Sequence, residues 1–277
     1  MNNHINNLLT MLNNPHMWDF KGAKELFAGV DVGTFKISVI VVDENGRPRA
    51  ATLERAEVVK SGMIVDYMGA VHKVRRMIEK IRAVSPLPLD KGATSYPPQT
   101  ESGNINTTKY ILEAVGLDVL NVLDEPSAAN LVLKMKTAAI LDVGGGTTGI
   151  AVIKGGKVVY SNDEATGGVH LTLVLAGALK ISYEAAEELK MGEKSGEIVP
   201  IVKPVIDKIS TIATGFLKPF DDIDKVCLVG GTCELQGLPE IVAKNIGLKT
   251  FRPVGSQVIT PFGIALSCAE TNGAGSL

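Results

Sequence analysis

Apolar positions recur twice along the chain in the same order. Residues 27–31 form an apolar run that ends at Asp31, and residues 138–141 form one that ends at Asp142. Each run is followed by a glycine-containing loop, a β-branched run, a glycine turn and a further apolar run. Because short apolar runs bounded by turn residues are typical of buried strands, each copy predicts three consecutive strands. We interpret the pattern as an internal repeat of one supersecondary unit.

Strand and helix patterns alternate around these repeats, which predicts an α/β fold of two related halves. Strands are also expected near residues 93–96, 119–123 and 226–229, and helices near 67–84, 107–115, from Glu125-Pro126, 239–245 and 261–269. The predicted domains are residues 26–137 together with 262–277, and residues 138–261.

Residues 1–25 form a separate N-terminal extension that is rich in asparagine. Ile5, Leu8, Leu9 and Leu12 follow helical spacing, and Pro15 is expected to end the helix. Its apolar stripe has two interpretations, packing on the main body of the protein or docking to a partner.

Composition excludes several classes of protein. The 277 residues contain 28 Lys and Arg against 30 Asp and Glu, a formal net charge of -2, so nothing indicates a nucleic-acid partner. The three cysteines lack C-x-x-C spacing, which fits a reducing compartment, and the four histidines lack metal-ligand spacing. Without a secretory signal or a transmembrane segment in the pattern, we expect a cytoplasmic protein.

The glycine loops suit phosphate binding. A strand that ends in Asp-x-Gly exposes backbone N–H groups in a tight turn, and glycine allows a phosphate to approach closely. Aspartates beside phosphates would repel them unless Mg²⁺ lies between. For either loop alone a sharp hairpin turn is the favoured interpretation, but the duplication and a third glycine loop favour phosphate binding. The predicted phosphate-binding residues are Gly33, Thr34, Gly144, Gly145, Gly146, Thr147 and Thr148, and the third loop is Gly230-Gly231-Thr232.

Two other glycine motifs do not fit. Residues 144–149 match G-x-G-x-x-G formally, but the next residues predict a strand where a dinucleotide site needs a helix. The chain also has no G-x-x-x-x-G-K-[ST] sequence, so a P-loop is not expected.

Taken together, five ordered motifs resemble those of the actin-like ATPase superfamily, which includes actin, DnaK-type chaperones, MreB and FtsA. The motifs are residues 31–34 with Lys36, residues 123–129, residues 142–148, residues 228–232 and residues 261–265. Among these relatives, the set is most similar to the ethanolamine-utilisation EutJ family, described as chaperone-like and encoded with bacterial microcompartment genes.

The resemblance implies two duplicated actin-like (ribonuclease H-like) domains with reduced outer subdomains and a cleft for ATP or ADP with Mg²⁺. Asp31 and Asp142 would face the metal, and Glu125 with Asp142 would serve catalysis, Glu125 by orienting the attacking water. By its position before a proline, Glu125 also has the pattern of a helix N-cap. Glu187 and Lys190 would lie near the ribose and base.

One departure from the family pattern concerns hydrolysis. Several members carry an acidic residue seven positions after the first aspartate of the second loop, where this chain has Gly149. The segment from Lys190 to Asp224 also leaves little room for an outer subdomain. We therefore expect slow or partner-dependent hydrolysis.

Three functions follow as hypotheses. The first is an ATP-binding chaperone or assembly factor with a protein client or ethanolamine-pathway and microcompartment proteins as partners. The second is a nucleotide-binding scaffold or polymer subunit without significant ATPase activity, for which a homo-oligomer is expected. The third is a small-molecule kinase, which would need a carboxylate base beyond Glu125.

Overall fold

The computed structural model describes residues 2–60, 63–98, 100, 102–193 and 195–274, and the chain forms two compact units. Unit 1 comprises Met1–Lys134 and Val258–Leu277, and unit 2 comprises Met135–Gln257. Each unit contains one five-stranded sheet, so the class is mixed α/β.

Unit 1 begins with a helix and three strands that pair antiparallel with their neighbours, and two later strands extend the sheet in parallel. Its sheet has the order β3-β2-β1-β6-β7, in which β6 and β7 are parallel to β1. The elements are α1 (Asn2–Met11), β1 (Leu26–Val32), β2 (Lys36–Asp43), β3 (Pro48–Arg55), β4 (Val59–Lys60), β5 (Met63–Ile64), α2 (Tyr67–Arg82), β6 (Lys91–Tyr96), α3 (Ser102–Ala114), β7 (Asp118–Asp124) and α4 (Glu125–Leu133).

Unit 2 repeats this topology. Its sheet has the order β10-β9-β8-β11-β12. Strands β8, β9 and β10 are again antiparallel neighbours, and β11 and β12 are parallel to β8. The elements are β8 (Thr137–Val143), β9 (Thr148–Lys154), β10 (Lys157–Glu164), α5 (Gly168–Leu179), α6 (Tyr183–Met191), α7 (Val199–Leu217), β11 (Lys225–Val229), α8 (Leu238–Ile246), β12 (Lys249–Phe251) and α9 (Ser256–Ala274), which continues into unit 1.

Helix α7 fills most of the segment for which the sequence predicted no element. Its buried positions follow helical spacing from Val202 to Leu217, and they pack on the apolar core beneath β9. Pro204 lies inside the helix and removes one backbone donor. The segment therefore adds a core helix to the unit.

The N-terminal extension packs on unit 1. Ile5, Leu8 and Met11 of α1 are buried, and the helix lies against the edge strand β3. Beyond the helix, the Asn13 side chain accepts hydrogen bonds from the Thr52 hydroxyl and the Leu53 N–H. Since an open strand edge invites pairing with another chain, this segment protects the edge of the sheet.

Candidate functional site

The second glycine loop joins β8 to β9 and is closed by one turn. The Gly144 N–H donates to the Thr147 carbonyl at 3.0 Å. On the other side, the Gly144 carbonyl accepts the Gly168 N–H at 3.0 Å, and the Gly145 carbonyl accepts the Val169 N–H at 2.7 Å. The loop carbonyls therefore point into the protein, toward the start of α5.

Unlike the loop carbonyls, two N–H groups of the loop have no partner within the described part of the protein. Among the described residues, the N–H groups of Gly145 and Gly146 donate to no protein acceptor. Consecutive N–H groups at such a loop form a concave surface for anions. Gly144 is not in the positive-φ region, and a Cβ there would meet only the Thr147 carbonyl oxygen at 3.4 Å. The fold itself would therefore tolerate a Cβ at position 144. Glycine at this position leaves that space open for a bound group.

The two loop threonines have different partners. Thr148 is fully buried and donates its hydroxyl to the Thr166 carbonyl at 2.6 Å. The prediction that Thr148 binds phosphate is therefore wrong, because its hydroxyl is committed to the interior. Thr147 instead bonds through its side chain to the Asp163 carboxylate on β10. The end of β10, whose Asp163 the sequence did not single out, thus supports the loop.

The Gly230–Thr232 turn lies against the same loop. Gly230 follows β11, has a φ of +93°, and a Cβ there would lie 2.3 Å from Asp142 Oδ1. Glycine is therefore required at position 230. The Thr232 hydroxyl donates to the Gly144 carbonyl at 2.7 Å. The structure brings together two motifs that lie almost ninety residues apart.

Lys190 on α6 connects that helix to the start of α5. Its Nζ lies 2.8 Å from Glu187 Oε2, 2.8 Å from Thr172 Oγ1 and 3.0 Å from the Gly168 carbonyl. These three acceptors match the three N–H groups of an ammonium. Lys190 therefore holds Gly168 beside the glycine loop.

Glu187 keeps one buried oxygen without a partner. The residue is 5% exposed, and no donor among the described residues reaches Oε1. Buried acceptors are nearly always hydrogen-bonded in native proteins. A hydroxyl of a bound ligand would supply the missing donor, as a ribose does.

Asp163 is a partly buried carboxylate near Asp142. Burial raises the pKa of Asp163 from its ordinary value of 3.8 to about 6; the Thr147 hydrogen bond opposes this rise, and the Asp142 charge adds to it. The charged form is therefore disfavoured in the folded chain.

This shift predicts a pH dependence of stability. The folded chain binds more protons than the unfolded chain between pH 4 and about 6, so its free energy of unfolding should fall as pH rises through that range. After allowance for solvent screening, we expect the free energy of unfolding to fall by about 2 kcal/mol in the wild type. In Asp163→Asn this fall should be absent. Urea unfolding at pH 4.5 and 7.5 measures it. Glu164→Gln, an exposed neighbour whose charge is the smallest contribution to the Asp163 shift, should keep most of the wild-type slope.

The first glycine loop in unit 1 has a matching turn. The Gly33 N–H donates to the Lys36 carbonyl at 3.0 Å, as Gly144 does to Thr147 in unit 2. Asp31 lies near the end of β1, Thr34 lies in the turn, and Lys36 begins β2. The repeat seen in the sequence therefore extends to the hydrogen bond that closes each loop.

Glu125 begins α4 at the end of β7, and it is not the cap of that helix. The neighbouring Asp124 is the N-cap, and its carboxylate accepts the Ser127 N–H at 2.9 Å. The expectation that Glu125 caps the helix is therefore wrong.

The donor set limits how Mg²⁺ could bind. Within the described part of the chain, no three His, Cys, Asp or Glu side chains group as a metal site. Mg²⁺ commonly uses one or two carboxylates together with substrate phosphates and waters. Asp142 beside the glycine loop fits an ion that arrives with a nucleotide, and the residues do not form a protein-only metal cage.

Comparison with known proteins identifies the family of this chain. A family model described as type IV pilus assembly protein PilM matches residues 125–264. The ethanolamine utilization protein EutJ of Escherichia coli (strain K12) is 42% identical over 247 residues, 88% of this chain and 87% of that protein. The chain belongs to the EutJ family. The resemblance inferred from the motifs is thereby confirmed.

Solved structures agree with the family assignment. The crystal structure of EutJ from Carboxydothermus hydrogenoformans has a TM-score of 0.88 at 38% identity, covering 95% of this chain and 97% of that one. MreB5 of Spiroplasma citri bound to ADP has a TM-score of 0.73 at 14% identity, covering 90% and 99%, which shows the fold alone. The predicted actin-like α/β class is confirmed for this EutJ-family chain. None of its described helices has the length and apolar character to cross a membrane.

Proposed function

We propose that this EutJ-family chain binds an adenine nucleotide with Mg²⁺ and acts in ethanolamine utilization as a chaperone or assembly factor. Its partners would be a protein client or other proteins of that pathway and its microcompartment. The names of its EutJ relatives support the pathway, and the fold that it shares with ADP-bound MreB5 supports the nucleotide.

The unpartnered Glu187 Oε1 is the observation that carries the proposal. It is buried and lies on α6, which Lys190 joins to Gly168, and Gly168 in turn bonds to the glycine loop. An acceptor for a sugar hydroxyl and N–H groups for phosphates thus belong to one connected network. A nucleoside phosphate combines these two chemistries in one molecule.

The roles proposed in unit 2 follow from this network. The amides of Gly145 and Gly146 would bind phosphate oxygens, and Asp142 would hold waters of Mg²⁺, which when bound neutralises phosphate charge. Glu187 would accept a ribose hydroxyl, and residues 230–232 would line the adenosine.

In unit 1, Asp31 is proposed to face the metal and Glu125 to orient an attacking water. Gly33, Thr34 and Lys36 would contact phosphate. Hydrolysis is proposed to be slow or partner-dependent, because catalysis of phosphoryl transfer depends on positioned charge and Gly149 supplies none.

Gly149 also favours a second candidate function. A scaffold or polymer subunit that retains nucleotide as a structural ligand needs no hydrolytic carboxylate. Light scattering of the full chain with ADP or ATP distinguishes the two, since a scaffold assembles with nucleotide while a chaperone stays small without its client.

Nucleotide binding is tested by calorimetry of the full chain with ADP and ATP in the presence of Mg²⁺. We expect saturable binding by the wild type and a loss of at least about tenfold in Glu187→Gln, because the substitution removes the charge-assisted hydrogen bond from the ligand hydroxyl to the carboxylate. Phosphate release measured in parallel reports hydrolysis.

Glu188→Gln is the matched control, since Glu188 is the next residue on α6 and is exposed. It should bind nucleotide as the wild type does. The absence of saturable binding to either nucleotide at millimolar concentration would overturn the proposed function, and equal affinities for both variants would overturn the role of Glu187.

A further inference from the structure

Asp142, Gly149 and Asp163 form one lateral row across three strands of unit 2. Asp142 on β8 pairs with Gly149 on β9, and Gly149 pairs with Asp163 on β10. Directly paired residues place their side chains on the same face of a sheet. Adjacent strands lie about 4.8 Å apart, so the two aspartates are separated by roughly 10 Å of backbone with no side chain between them.

Asp163 also contacts the glycine loop itself. Its carboxylate accepts the Thr147 hydroxyl and the backbone N–H of Glu164. Thr147 is the residue whose carbonyl closes the loop turn with Gly144. Because a hydroxyl carries one hydrogen, Thr147 cannot donate to Asp163 and to a phosphate at the same time.

We propose that Asp163 is a positioning residue of the nucleotide site, which holds Thr147 and makes phosphate binding at this loop depend on a divalent cation. The inference rests on the proposed function. It assigns to β10 a carboxylate on the sheet face where β9 has glycine at position 149.

The charge of Asp163 determines the expected effect. A carboxylate on this face repels a bare phosphate, and a hydrated Mg²⁺ between them converts the repulsion into attraction. Asp163 therefore weakens nucleotide binding without Mg²⁺ and strengthens it with Mg²⁺. A residue that served only to fold the loop would change both affinities in the same direction.

The test compares ADP affinity of the full chain with Mg²⁺ and with EDTA. For Asp163→Asn, we expect the affinity in EDTA to rise, and the ratio of the two affinities to fall by about tenfold, the scale of effects from residues around a metal's ligands. Glu164→Gln, one residue along β10 and exposed, should keep the wild-type ratio.

A relocated carboxylate keeps the test independent of loop damage. Gly149 is buried and not in the positive-φ region, so Gly149→Asp in the Asp163→Asn background places a carboxylate in the same row without backbone strain. We expect this double variant to recover most of the Mg²⁺ dependence. If wild type binds ADP with a strong Mg²⁺ dependence and Asp163→Asn keeps the same ratio, the inference is overturned while the proposed function stands. If wild type binds no nucleotide, both fail.

Discussion

Replacing Gly263 with alanine is expected to lower the free energy of unfolding by about 3 kcal/mol or more. A Cβ at this position of α9 would lie 1.8 Å from the carbonyl oxygen of Ala128 in α4, and 2.5 Å from its carbonyl carbon. Both are backbone atoms, which cannot rotate away as a side chain does. Helix α9 would have to move away from α4, with loss of packing around the buried Phe262 and Ile264.

Gly215→Ala is the control for a helix glycine without this contact. Gly215 lies in α7, and a Cβ there would meet no atom within 4 Å. That variant should gain about 0.5 to 1 kcal/mol, since alanine favours helix. Urea unfolding measures both variants. An unfolding midpoint for Gly263→Ala equal to that of the wild type would show that α9 and α4 do not approach as closely as described.

The duplicated fold could be predicted because its signal is local. Strand, aspartate, glycine loop and strand recur in one order, and each piece depends on residues close in sequence. The structure extends this repeat to the strand order of both sheets and to the closing hydrogen bond of each loop.

The sequence pattern does not predict helix α7, although the apolar spacing of that helix is regular. Pro200 and Pro204 interrupt the pattern, and proline normally argues against a helix interior. Pro200 is tolerated in the first turn, where backbone N–H groups have no helical partner. Packing of seven buried positions on the core of unit 2 outweighs the one hydrogen bond lost at Pro204.

The support of the glycine loop could not be predicted from the loop sequence. Gly168, Val169 and Asp163 contact the loop only because the chain returns to it at the end of β10 and at the start of α5. A signal existed in the Gly167-Gly168 pair, since adjacent glycines after a strand often mark a close approach of two backbones. The pair alone does not indicate which backbone approaches it, because no motif includes both segments.

Gly144→Ala and Gly167→Ala are expected to separate binding from folding at this loop. A Cβ at position 144 would contact only the Thr147 carbonyl oxygen at an ordinary 3.4 Å, so the free energy of unfolding should stay within about 0.5 kcal/mol of wild type. The methyl group would occupy the surface proposed for phosphate. ADP affinity should therefore fall at least about tenfold, or 1.4 kcal/mol.

The second variant should show the reverse pattern. A Cβ on Gly167 would lie 2.8 Å from the Gly144 carbonyl oxygen and 2.9 Å from that of Gly145, both backbone atoms. We expect a loss of stability of about 2 kcal/mol and, through the displaced loop, a loss of binding as well. Unfolding in urea and calorimetry with ADP and Mg²⁺ on both variants give the comparison. Wild-type affinity in Gly144→Ala would mean that phosphate does not approach this backbone, whereas a strong loss of stability in that variant would mean that the glycine serves the fold alone.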